Sequence, residues 1–139
     1  MEKQQKIGVS GFIFNENKLL IVRRPSTENF LPNYYEMPGG HVEFGESPEG
    51  ALIREIQEEV NLEIEPLYPF NTFSYISNKG NKHTIDIQYI VRVISEISEL
   101  KLNKEHDDFI WITQDEIKNF KFSEETKDAI IKGFKNLNL

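Results

Sequence analysis

The sequence predicts an α/β domain in which strands and helices are mixed along the chain. Three observations carry this. Short apolar runs with period-two alternation are separated by Asn-, Gly- and Pro-containing turns, the mark of strands. Two stretches open on a serine N-cap and continue with helical periodicity. No internal repeat, low-complexity tract or Ser/Pro linker divides the 139 residues, so 1–139 are predicted to form one domain. A chain of that length buries roughly 68–70% of its unfolded surface.

Taken in order, residues 7–14 (IGVSGFIF) and 18–23 (KLLIVR) are strands joined as a hairpin across NEN. Residues 25–33 (PSTENFLPN) form a polar loop bracketed by prolines, and YYEM is a short strand leading into Pro38-Gly39-Gly40. Ser47-Pro48-Glu49 supplies an N-cap, a first-turn proline and a first-turn acid, so a helix runs from about 48 to 60. Leu52, Ile53, Ile56 and Val60 are expected to share its buried face, turned away from its glutamates. Asn61 then suits the left-handed position that ends a helix. Longer strands are expected within 63–77 and at 83–94. In the second, Ile85, Ile87, Tyr89, Val91 and Val93 alternate with mostly polar neighbours, the pattern of a half-buried strand. FIWI at 109–112 is a last strand. Thr113-x-x-Glu116 is a capping box for a short helix, and Ser123 caps a final helix bearing Ala129, Ile130, Ile131 and Phe134.

Composition narrows the chemistry. Without cysteine there are no disulfides, zinc–thiolate sites or thiol nucleophiles. A net charge of −7 argues against gripping a nucleic-acid polymer through a broad basic face. It still allows a small phosphorylated ligand if divalent cations intervene. The apolar runs are too short to span a membrane, and MEKQQK lacks the apolar core of a secretory signal, so a soluble cytoplasmic protein is expected. No G-x-S-x-G or G-x-G-x-x-G occurs. GHVEFGES approaches a P-loop, but Glu46 stands where the lysine should be and would repel phosphate. His41, His83 and His106 show no metal-ligand spacing, and Trp111 is expected in the core.

The helix poses a sharper question. REIQEE places Glu55, Glu58 and Glu59 within an arc of roughly 100°, two of them near the negative end of the helix dipole. Like charges so spaced repel, by about 0.2–0.5 kcal/mol per pair, unless a cation sits on them. Carboxylate oxygens are hard ligands suited to Mg²⁺, which shares its coordination with phosphates.

With the preceding loop the spacing becomes Gly40, five residues, Glu46, seven residues, then Arg54-Glu55-Ile56-x-Glu58-Glu59-x-Asn61-Leu62. This resembles the signature of the Nudix hydrolases, G-x5-E-x7-R-E-U-x-E-E-x-G-U, with Asn61 for the last glycine. RRP after a strand, MPGG before the box and EHDDFIWI downstream are similar to this family too. The resemblance implies an α/β/α sandwich around a central mixed sheet. It implies Mg²⁺-dependent cleavage of a nucleoside diphosphate linked to a group X, with Mn²⁺ as a substitute. It assigns Glu55, Glu58 and Glu59 to the metal, with the Gly39 carbonyl as an added ligand, and pairs Glu46 with Arg54 to fix loop against helix. Glu105 is the chosen downstream carboxylate, as ligand or general base, with Asp107 and Asp108 as rivals. Of Arg23 and Arg24, strand alternation turns one inward, and Arg24 is favoured for substrate phosphate.

Position 78 is Asn, where relatives acting on ADP-ribose often carry proline. KGN stands where diadenosine-polyphosphate enzymes often carry tyrosine, and the NADH-type motif is missing. RRP and MPGG look closer to the mutator-suppressing, MutT-like pyrophosphohydrolases, although FKFSEET lacks their guanine-reading asparagine. The expected substrate is a small nucleotide of the (d)NTP type. The alternatives are an ADP-ribose or NDP-sugar pyrophosphatase and a non-catalytic binding domain, and a homodimer stays open.

Overall fold

The computed structural model describes residues 2–138. Seven strands, β1 (Gln4–Asn15), β2 (Lys18–Arg23), β3 (Tyr35–Glu36), β4 (Gly39–His41), β5 (Ile64–Ser77), β6 (Lys82–Val93) and β7 (Asp108–Ile112), form one mixed sheet. Helix α1 spans Pro48–Val60 and α2 spans Glu124–Asn136, with short 3₁₀ turns at Ile97–Glu99 and Gln114–Asn119. The path is β3-β2-β1-β6-β5, with β4 added beside β1 and β7 beside β2. β1 and β6 run parallel over their length, and the other pairings are antiparallel.

Strand alternation separates two cores. Val9, Ile13, Leu20, Val22, Tyr89 and Val91 pack under α1 through Ala51, Leu52, Ile56 and Val60. Phe12, Leu19, Ile21 and Ile90 pack under α2 through Ala129, Ile130 and Phe134. The result is the α/β/α sandwich expected. Trp111 is half-buried against the α1-side core. Gly133 lets α2 settle onto the sheet, because a Cβ there would overlap the Phe12 ring.

Several sequence expectations need correction. Gly39, Gly40 and His41 form a strand, β4, although the sequence pattern begins the loop at Gly40. The turn after Thr113 is 3₁₀, although Glu116 does accept the Thr113 N–H at 2.9 Å as a capping box requires. Ile53 and Ile131 are exposed, so neither belongs to its helix's buried face. β5 bends at two bulges flanking Pro66 and Pro69, residues that cannot donate to a ladder.

The N-cap and C-cap of α1 are as the sequence predicts. Ser47 Oγ accepts the Gly50 N–H, and Asn61 sits at φ 58°, ψ 38°. Asn61 also donates through Nδ2 to the Glu99 carbonyl at 2.9 Å. Asn61→Val is therefore expected to lower stability by about 1–2 kcal/mol, since a β-branched residue is strained in that region. Asn61→Gly should stay close to wild type. Equal chemical-denaturation midpoints for Val and Gly would show that this left-handed cap contributes nothing.

Candidate active site

A cavity of about 510 Å³ opens where β1, β3, β4 and β6 meet α1 and the segment after residue 100. One carboxylate oxygen from each of Glu55, Glu59 and Glu105 lies within 4.8 Å of the others at its wall. The geometry of α1 explains which glutamates take part. At 100° per residue, Glu59 falls roughly 20° from Leu52, inside the buried arc that runs from Ala51 to Val60. Glu59 is accordingly 1% exposed. Glu55, roughly 60° from Leu52, also falls inside that arc and is half-buried, whereas Glu58 lies just beyond Ala51, exposed and 3.4 Å from Arg54 Nη1. The three glutamates do not form one outward face, and the structure does not bring Glu58 into the cluster.

Glu105 arrives by a specific route. The C-terminal carbonyls of a helix need donors. Here the Lys101 N–H serves Val60 and the Asn103 N–H serves Glu59, at 3.0 and 3.1 Å. Asn103 Oδ1 then accepts the Glu105 N–H. The chain is thereby laid against the end of α1 and delivers Glu105 beside Glu59. The rivals are committed elsewhere: Asp107 pairs with Arg23 at 2.8 Å, and Asp108 accepts from the Tyr35 hydroxyl.

Arg54 fastens loop to helix. Its Nε and Nη2 reach the two Glu46 oxygens at 2.8 Å each, Nη2 also donates to the His41 carbonyl, and Nη1 meets Glu55 at 3.0 Å. The guanidinium holds Glu46 down at about 2, well below the usual carboxylate range. Gly40 makes the close approach possible, since a Cβ there would overlap the Glu55 carboxyl. Gly39 sits opposite Ser10, a position between the hydrogen-bonded pairs, so its backbone groups point away from β1. Its N–H reaches Glu59 Oε1 at 3.4 Å.

The arginines divide as alternation predicts. Arg24 lines the cavity, with Glu36 at 3.5 Å and the Phe30 carbonyl accepting from Nε. Arg23 faces away and is held by Asp107, so the structure does not support it as a substrate ligand.

Burial, followed by the Glu55 carboxyl and the Glu105 charge, pushes Glu59 far above an ordinary glutamate. His106 Nδ1 lies 3.7 Å from Glu59 and has no hydrogen-bond partner among the described residues. Converging hard oxygen donors, like charges held together and an unmatched buried nitrogen together fit a site for a divalent cation.

Sequence reasoning missed three further groups. His106 is buried between Glu36, at 2.8 Å, and Glu59. Ser10, Asp86 and Gln88 form the polar cavity floor, and Phe30 and Tyr75 stack at the mouth with centroids 5.7 Å apart. No sequence signal marked the floor: on β6 the polar alternates Thr84, Asp86 and Gln88 are buried while Ile85 is exposed, which alternation alone does not reveal.

The chain is similar to known proteins. The family profile described as NUDIX domain matches residues 4–133. The 8-oxo-dGTP diphosphatase of Escherichia coli (strain K12) is 38% identical over 73 residues, covering 52% of this chain and 56% of that enzyme. The ADP-ribose pyrophosphatase of Methanocaldococcus jannaschii is 35% identical over 95 residues, covering 68% of this chain and 54% of that enzyme. The chain thus spans little more than half the length of these two relatives. The nucleoside triphosphatase NudI of Escherichia coli O139:H28 is 28% identical and matches 94% of this chain and 98% of its own. Among solved structures, the MutT protein of Methanosarcina mazei Go1 superposes with a TM-score of 0.80 at 24% identity, covering 99% of this chain and 98% of that one. Among the described residues, no helix is long and apolar enough to cross a membrane. A match over nearly the whole chain, together with the shared fold, leaves one assignment: the chain belongs to the Nudix hydrolase family.

Proposed function

We propose that the chain is a Mg²⁺-dependent pyrophosphohydrolase of small nucleotides, a (d)NTP-type substrate being the best reading, with residues 1–139 acting as a single domain in the cytoplasm. Water attacks phosphorus, one P–O bond of the diphosphate breaks, and a nucleoside monophosphate leaves with pyrophosphate or a phosphorylated group. The observation that carries this reading is the convergence of Glu55, Glu59 and Glu105 on a cavity that also holds Arg24.

Glu55, Glu59 and Glu105 would hold the cation, with the Gly39 carbonyl beside them. Glu58, tied to the same guanidinium as Glu55, would add charge for a further ion. When bound, the metal neutralises the polyphosphate and makes water a better nucleophile. Arg24, which lines the same cavity, binds the phosphate oxygens, which its planar fork suits. Glu105, the least buried of the three, is placed to accept the proton that water loses. Glu46 and Arg54 keep the loop fixed against α1, which matters because a 1 Å misplacement can cost about 100-fold. Phe30 and Tyr75 offer flat faces to a nucleobase.

The relatives named as an 8-oxo-dGTP diphosphatase, a nucleoside triphosphatase and an ADP-ribose pyrophosphatase all act on diphosphate linkages, which supports the reaction class. The test is release of phosphate and pyrophosphate from a panel of nucleoside triphosphates and ADP-ribose. Activity should vanish in EDTA and return with Mg²⁺ or Mn²⁺. Full turnover after exhaustive chelation would rule out the metal-dependent reading.

A further inference from the structure

A relay of hydrogen bonds runs from the surface to the cavity floor, and every donor in it points the same way. Lys132 Nζ donates to Asn71 Oδ1 at 3.1 Å, and Asn71 Nδ2 to Gln88 Oε1 at 2.8 Å. Gln88 Nε2 donates to Ser10 Oγ at 3.2 Å, and the Ser10 hydroxyl to Asp86 Oδ2 at 2.6 Å. A chain of this kind is polarised from the lysine cation towards the carboxylate, which ends it as an acceptor. Asp86 is 9% exposed, and its hydrogen bonds come from neutral groups, with no lysine or arginine paired to it among the described residues. A buried carboxylate with no cation beside it is costly unless donors satisfy it.

One of its oxygens is kept open. Asp86 lies across from Gly8 in the β1–β6 register, and a Cβ on Gly8 would come within 2.6 Å of Oδ1. The missing side chain leaves room for that oxygen over β1, and Gly8 and Asp86 both line the cavity. On its other side Asp86 is paired with Phe73 of β5, and Tyr75 stacks on Phe30 two residues further along that strand. From Asp86 the order across the sheet is β6, β1, β4, and β4 carries the glycine that abuts Glu55. Two strand spacings, about 10 Å, separate this acceptor from the strand carrying that glycine. That is the order of distance between the base edge and the outer phosphates of a nucleotide.

We infer that Asp86 reads the nucleobase and selects an edge with two adjacent donors, the ring N–H and exocyclic amino group of guanine. An acceptor-only carboxylate is complementary to that edge: Oδ1 takes one donor, and the lone pair of Oδ2 not used by Ser10 takes the other. Adenine and cytosine set a donor beside an acceptor, and uracil sets one N–H between two acceptors, so each brings an oxygen or a bare ring nitrogen against the carboxylate. The inference rests on the nucleotide hydrolase reading above and names the base that this site takes.

The test compares kcat/KM for GTP, ITP, ATP and UTP, in wild type and in Asp86→Asn, with the thermal melt of each protein alongside. ITP differs from GTP only by the missing amino group. Wild type should prefer GTP over ITP by about 10- to 100-fold, the value of a hydrogen bond to a charged acceptor. In folded Asp86→Asn that ratio should fall towards one. Gly8→Ala crowds the same oxygen from the neighbouring strand, and it should also lower the ratio, which keeps the test open if Asp86→Asn fails to fold. Equal use of GTP and ITP by wild type overturns the inference and leaves the hydrolase reading standing. So does a folded Asp86→Asn that keeps the preference or loses all substrates equally. Failure of wild type to cleave any nucleotide removes both.

Discussion

Glu59→Gln is expected to melt at or above the wild-type temperature in EDTA, yet to turn over at least about 100-fold more slowly with Mg²⁺. The two effects have one origin. Glu59 is buried on α1 between Glu55 and Glu105, so without a cation its charged form is penalised by lost hydration and by like charge. The folded chain keeps a proton there that the unfolded chain releases above about pH 4, so this group takes stability away as pH rises. Gln has nearly the shape of the protonated acid and needs no proton. The variant's advantage in the metal-free melt should widen with increasing pH and close below about pH 4. With Mg²⁺ the balance reverses, because Gln offers no negative oxygen. Removing a group that merely orients a ligand costs about 10- to 100-fold, and removing a ligand should cost no less. Glu58→Gln is the comparison. It is exposed and outside the cluster, so its melt should match wild type, and its effect on turnover measures whether it is drawn to a second ion. A Glu59→Gln protein that melts several degrees lower but turns over normally would make Glu59 a structural residue.

The contrast between Glu58 and Glu59 also marks how far the sequence could be read. The caps of α1, the hairpin, the last strand and the downstream carboxylate at Glu105 are local or motif-bound features. Each is written in a few adjacent residues or in a fixed spacing. Which glutamate of REIQEE turns inward is not local. Centring the buried face on Leu52, Ile53, Ile56 and Val60 swings the expected arc away from Glu59. The real arc is centred nearer Leu52, because Ala51 is buried and Ile53 is not. Only contact with the sheet fixes that rotation. β6 shows the same limit. Ile87, Tyr89, Val91 and Val93 do face α1, as period two implies, although Ile85 is exposed, and the opposite face meets a cavity rather than water. Alternation reports two faces without saying what lies beyond each, so Asp86 and Gln88 read as solvent-facing. His106 escaped because its partners, Glu36 and Glu59, are 70 and 47 positions away in sequence and meet it only in the folded chain.

Gly40→Ala should lower turnover by about 100-fold while shifting the melting temperature by only a few degrees. Gly40 has no positive φ, so alanine meets no backbone strain there, and the effect comes from space alone. The added Cβ would overlap the carboxyl group of Glu55. Overfilling a packed site usually costs about 1–3 kcal/mol, but a glutamate head group can rotate away where a core side chain cannot. Glu55 is held by Arg54 Nη1 at 3.0 Å, and Arg54 is in turn locked to Glu46, so the movement breaks one ion pair and leaves the loop anchored. Most of the penalty should therefore appear as a displaced ligand. Pairing the change with Glu55→Ala separates the two costs. In the double variant the Cβ has room, so the stability lost in Gly40→Ala alone should be recovered, giving a coupling of about 0.5–3 kcal/mol. Activity should not be recovered, because the carboxylate is gone. Additive melting shifts in this cycle would mean that Gly40 and Glu55 do not compete for the same space. A wild-type rate for Gly40→Ala would mean that the position of Glu55 is not what the reaction depends on.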